Sequence, residues 1–136
     1  MDCKDIDEYS RFVASMISEP TKRLDKLVER MEELHEIDNV HIPGFMAGST
    51  GLVCEAAELK DIVKKILYQG KELNPELITH IKKELGDVAF YFVLLCQSLN
   101  TTPAEVIELN VEKLNGRFSG GEFSVKESEV RKEGDV

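Results

Sequence analysis

The chain has 136 residues, with 26 Asp plus Glu against 17 Lys plus Arg and a formal net charge of −9. That length suits one domain, residues 1–136, and 42% hydrophobic residues are enough for a real core, so the chain need not be disordered. The acidic balance argues against binding a nucleic-acid backbone, which needs clustered Lys and Arg, and no apolar run approaches the ~18–20 residues of a membrane span.

Residues Met1 to Ser10 are acidic where a signal peptide would be basic and then apolar, so a soluble cytoplasmic protein is expected. Cys3, Cys54 and Cys96 are too scattered for a disulfide framework or a thiolate zinc site, and are expected to be free thiols. From Asp5 to Ser18, Ile6, Tyr9, Phe12, Val13 and Met16 recur at helical spacing, and from Pro20 to Ile37 so do Leu24, Leu27, Val28, Met31 and Leu34. Asp38 to Ser49 holds Pro43 and two glycines and reads as a connection, part of which could join the next helix. A third helix is expected from about Gly51 to Tyr68, ending at Gly70. The fourth opens at Asn74-Pro75-Glu76, a cap residue followed by proline, and runs to about Leu99. The fifth opens at Thr102-Pro103-Ala104-Glu105, where Thr102 can cap and Glu105 can complete a capping box, and ends near Asn115-Gly116. Residues 119–136 read as an extended tail, with Phe118, Phe123 and Val125 able to pin it to the body or to another subunit. The fold class is therefore all-α, a bundle of about five helices.

Two acidic pairs stand out. Glu55 and Glu58 lie one turn apart on the third helix, where Glu55 falls angularly between Ile62 and Ile66, inside the apolar stripe. Glu84 and Asp87 repeat the spacing on the fourth helix, with Glu84 at the edge of the stripe of Leu77, Ile81, Val88, Phe92 and Leu95, and Tyr91 beside both. A carboxylate there is costly unless it is paired or bound to metal. If the two helices pack antiparallel, the pairs face each other, and hard divalent ions such as Mg²⁺ accept such oxygen ligands. Spacing alone leaves open a merely solvated acidic surface. Asp61 continues the row, with Lys65 one turn on as an ordinary salt-bridge partner.

At these residues the chain resembles the all-α nucleoside triphosphate pyrophosphohydrolase superfamily of MazG. The resemblance is carried by Gly51-Leu52-Val53-Cys54-Glu55-Ala56-Ala57-Glu58, Asp61-Ile62-Val63-Lys64-Lys65, Lys83-Glu84-Leu85-Gly86-Asp87-Val88 with Tyr91, and Asn110-Val111-Glu112-Lys113-Leu114 followed by Arg117-Phe118. It implies a catalytic core at about residues 47–118. It also implies that Glu55, Glu58, Glu84 and Asp87 hold Mg²⁺, with Mn²⁺ as a substitute and two or more ions per site, against a triphosphate. Asn110, Lys113 and Arg117 are implied near the phosphates, and Lys65 and Tyr91 are further candidates. Where family members often continue Arg-Tyr-Pro, this chain has Arg117-Phe118-Ser119, and Phe90 stands where Trp is frequent. The ending resembles MazG-like proteins of bacteriophages, which would place the protein in the host cytoplasm.

The implied reaction turns a nucleoside triphosphate and water into the monophosphate and pyrophosphate. A purine such as dGTP or GTP is the expected substrate, and His41, Ile42, Phe45 and Met46 either wall the base or pack on the core. Phosphoribosyl-ATP is the rival substrate within the superfamily. A di-iron bundle needs two Glu-x-x-His motifs, and only Glu32 to His35 matches. A non-enzymatic acidic interaction protein is the remaining alternative. Two apolar-faced central helices rarely suffice as an isolated pair, and Phe90 and Val93 lie outside the main stripe, so a homodimer or homotetramer is expected.

Overall fold

Local signals start most of the helices seen in the structure, a computed structural model that describes residues 5–118 and 121–129. All regular elements among the described residues are helical: α1 (Ile6–Met16), α2 (Glu19–Lys22), α3 (Leu24–Glu36), α4 (Ile42–Gln69), α5 (Pro75–Ser98), α6 (Pro103–Arg117) and α7 (Val125–Glu129). The chain divides into two compact units, residues 1–42 and 43–136.

In the first unit, the Asp5 carboxylate caps α1 by accepting from the Asp7 amide at 2.9 Å. The helix expected from Pro20 to Ile37 is broken at Arg23, whose extended backbone (φ −133°, ψ 121°) ends α2 and starts α3. The Arg23 guanidinium turns onto Asp25 at 2.6 Å, while α2 and α3 pack together. None of α1, α2 and α3 buries a single residue: Ile6, Met16 and Leu24 are 74%, 67% and 76% exposed. Asn39 closes α3 in a left-handed conformation (φ 54°), a position Asn tolerates better than most residues.

In the second unit, α4 continues the helix from Ile42 rather than starting near Gly51, so most of the expected connection is helical. Pro43 lies in the first turn, where its missing amide costs nothing. Gly48 and Gly51 are tolerated because they are used: a Cβ on Gly48 would stand 2.9 Å from Leu95 Cγ, and one on Gly51 would run into the Tyr91 ring. These approaches set α4 antiparallel to α5. Helix α5 starts at Pro75 with the Asn74 side chain accepting from the Leu77 amide at 2.8 Å, as its sequence predicts. It ends with Asn100 left-handed (φ 55°), the Thr101 amide on the Cys96 carbonyl at 3.0 Å and the Asn100 amide on that of Gln97 at 3.1 Å. Helix α6 packs on α5. Thr102 caps α6, but the Glu105 carboxylate accepts from the Thr101 hydroxyl at 2.5 Å, a side-chain bond in place of the return bond to the cap.

Among the described residues the buried apolar side chains are Ile42, Ile62, Leu77 and Cys96, and the buried polar ones are Ser98 and Glu84. Ser98 satisfies itself on the Leu94 carbonyl at 2.7 Å. Within the expected extended tail, residues 125–129 form the short α7, and Phe123 meets Phe118 with ring centroids 5.5 Å apart. Residues 119, 120 and 130–136 of that tail, and Cys3, lie outside the described residues.

Candidate metal and phosphate site

The antiparallel register of α4 and α5 decides which acidic groups meet. Counting from the Gly48 to Leu95 and Gly51 to Tyr91 approaches, the next turns of α4 bring Glu55 and Glu58 opposite Glu84. One oxygen from each of these carboxylates lies within 4.8 Å of the others. Glu84, expected at the edge of its stripe, is instead in the middle of it: Leu77, Ile81, Glu84, Val88, Tyr91 and Leu95 are all buried or half-buried, and Glu84 is only 8% exposed. Glu55 is half-buried within the α4 stripe, as its angular position predicts, and Glu58 is exposed at its border. Asp87 is exposed and stands outside the trio, yet its charge acts on Glu55.

The electrostatics are those of an uncompensated acidic cluster. Burial first, then the charges of Glu58, Asp87 and Glu84, push the Glu55 carboxyl above its ordinary pKa. Oxygens around one Mg²⁺ at about 2.0–2.1 Å can be no more than about 4.2 Å apart, and the longer bonds of Ca²⁺ allow about 5 Å. A trio spread over at most 4.8 Å therefore fits a divalent ion after shifts of a few tenths of an ångström. All donors are hard carboxylate oxygens, which suits Mg²⁺ or Mn²⁺ rather than a soft metal.

Beside the trio opens a cleft of about 390 Å³ lined by Ala57, Glu58, Asp61, Ile62, Lys65 and His80. The other end of the α4 and α5 seam is closed by Tyr91 on Gly51 and Leu95 on Gly48, so the site opens toward Lys65 and His80. Asp61 holds Lys65 of the cleft wall at 2.5 Å and, outside the cleft, Lys64. Hydrogen bonds from Lys64 and then Lys65 pull its pKa down to about 2. Asp61 is thus an ion-pair anchor for Lys65. His80 was not singled out by the sequence; its only signal is the one-turn spacing to Glu84, and its Nδ1 lies 3.3 Å from Glu84 Oε1.

The remaining sequence candidates stand further out. Tyr91 packs over Gly51 and meets Phe90 edge-on at 5.2 Å between ring centroids. Asn110, Lys113 and Arg117 share one side of α6, the first two exposed and Arg117 half-buried. The trio is built by α4 and α5 alone. His41, Phe45 and Met46 are exposed just before and along the first turn of α4, while Ile42 is buried.

Residues 48–119, more than half of the chain, match the MazG nucleotide pyrophosphohydrolase domain, a region that contains the acidic trio, the cleft and α6. The chain belongs to the MazG family. It is also 35% identical over 81 residues to the Gene 37 protein of Mycobacterium phage L5, an alignment covering 59% of this chain and 71% of that protein. No solved structure matches it significantly. MazG membership makes the chain a nucleotide pyrophosphohydrolase and agrees with the all-α architecture expected from its periodicity. No described helix is long and apolar enough to cross a membrane.

Proposed function

We propose that this MazG protein hydrolyses a nucleoside triphosphate to the monophosphate and pyrophosphate, using Mg²⁺, or Mn²⁺ in its place, held by Glu55, Glu58 and Glu84 with Asp87 completing the set around two or more ions. The observation that carries the reading is the burial of Glu84 within a carboxylate trio spanning no more than 4.8 Å. An acidic surface that merely solvates the chain would keep Glu84 in water. Bound metal supplies charge neutralisation for the phosphates and a lowered pKa for the attacking water. The chain's own residues do the rest. Glu55 or Glu58 orients the water toward the α-phosphorus. Lys65, fixed by Asp61 on the cleft wall, faces the departing pyrophosphate, since the seam is open on that side. Lys113, Arg117 and Asn110 on α6 contact phosphate oxygens, and the Tyr91 hydroxyl is a further contact.

The preferred substrate is a purine nucleotide, dGTP or GTP. The active form is a homodimer or homotetramer whose subunits cover the exposed apolar faces, and the relative in a mycobacteriophage supports action in a host cytoplasm, with no nucleic-acid partner. Initial rates of pyrophosphate release for the eight common NTPs and dNTPs, and for phosphoribosyl-ATP, with and without Mg²⁺, test the reading. Metal-dependent release fastest with dGTP or GTP is expected. Equal turnover of all eight would remove the purine preference, turnover of phosphoribosyl-ATP alone would reassign the substrate, and no turnover of any would remove the activity.

A further inference from the structure

Glu84 is the most buried member of the acidic trio, at 8% exposure, and is surrounded by charges of its own sign. A Glu side chain has three torsions, and repulsion from Glu55 and Glu58 would swing a free carboxylate away from them. Something must hold it. Lys65 of the cleft wall and its neighbour Lys64 are paired with Asp61 on α4. On α5 itself, one turn before Glu84, His80 brings Nδ1 to 3.3 Å from Glu84 Oε1 while its ring forms part of the cleft.

We propose that His80 is a positioning residue for the reaction, whose Nδ1–H tethers one oxygen of Glu84 so that the carboxylate stays aimed at the divalent cation shared with Glu55 and Glu58. This rests on the metal-site reading given above. A lone pair on Nδ1 would repel the carboxylate, so the proton sits on Nδ1 and leaves Nε2 for solvent or ligand in the cleft. The i, i+4 spacing keeps the pair aligned along one face of α5. The 52% exposed imidazole reaches its buried partner from the rim of the cleft. Carboxylates that bind metal are themselves held by hydrogen bonds, and removing such an outer partner costs about 10- to 100-fold in metal affinity or activity.

The test is Mn²⁺ binding to the full-length, nucleotide-free chain, followed by electron paramagnetic resonance, for wild type, His80→Ala, His80→Gln and His80→Leu, with helicity checked by circular dichroism. His80→Ala and His80→Leu are expected to weaken Mn²⁺ binding about 10- to 100-fold. His80→Gln, which keeps an N–H donor, is expected to recover most of the loss. Gln and Leu are close in size, so their comparison decides even if the Ala variant folds poorly. Wild-type affinity in His80→Leu, or equal weakening in the Gln and Leu variants, would overturn the proposal and leave the metal site standing. A wild-type chain that takes up no Mn²⁺ would overturn the metal site and the proposal with it.

Discussion

At the scale of single residues, the proposed metal site is tested most directly at Glu55. Glu55→Gln keeps the shape of the side chain and removes the charge that gathers metal, so pyrophosphate release is expected to fall on the order of 10²- to 10³-fold or more. Circular dichroism should show the helices intact, and a variant retaining most of its activity would refute the ligand assignment. The raised pKa of Glu55 carries a pH signature with a defined sign. In the metal-free folded chain Glu55 keeps its proton to higher pH than in the unfolded chain, where the value is about 4.5. Its contribution to stability is therefore present at low pH and is lost as pH rises from 4.5 through the raised value. Asp61 works in the opposite sense, its contribution being present above 3.8 and lost as pH falls toward about 2. Thermal melts of metal-free protein are expected to show stability declining above pH 4.5 where Glu55 ionises, and Mg²⁺ should reverse the decline. Spacing within one helix singled out Glu55 with Glu58 and Glu84 with Asp87 as acidic pairs, and the structure brings three of the four together. Spacing did not single out His80, because one-turn pairs of charged groups recur throughout a helical chain and only the burial of Glu84 gives this one meaning.

Glycines show what is decided between elements. Gly51 faces Tyr91, and an added Cβ would overlap the ring. Overpacking of this kind costs about 1–3 kcal/mol, while replacing a helical Gly by Ala returns up to about 1 kcal/mol. Gly51→Ala is expected to lose about 1–2 kcal/mol in urea denaturation, and trimming Tyr91 to Leu in the same chain should recover part of it. Gly86, between Glu84 and Asp87, has open space where its Cβ would be. Gly86→Ala is therefore expected to raise stability by about 0.5–1 kcal/mol. Both are glycines inside helices, so composition and propensity rank them alike. The packing of α4 on α5 gives them opposite signs. The same packing lets α4 run through its glycines from Ile42, where the sequence read a connection. The break at Arg23 is local, and the expected helix missed it because all its periodic apolar residues, Leu24 to Leu34, lie after Arg23 and say nothing about the turn before it.

On the scale of the whole molecule, exposed apolar side chains dominate. Phe90 is 64% exposed and Val93 37%, as expected for residues off the main stripe of α5, and Ala89, Leu94 and Gln97 join them around a hollow of about 370 Å³. Ile6, Tyr9, Val13 and Met16 form a comparable exposed row on α1. Sedimentation velocity is expected to give a dimer or tetramer, and Phe90→Glu should shift it toward smaller species, because a charge at a covered apolar face is left unpaired. A wild-type chain sedimenting as a monomer at micromolar concentration would contradict this. By itself the sequence determined the helical class, the starts of α5 and α6 and the one-turn spacing of the two acidic pairs, since periodicity, capping and spacing are local properties of a helix. Only the tertiary structure decided that Glu84 is buried, that three carboxylates meet while Asp87 stands outside, and that the His80 to Glu84 pair borders the cleft. Most of these depend on the register and closeness of two helices joined by a turn, set by Gly48 against Leu95 and Gly51 against Tyr91, distances that no spacing along one helix contains.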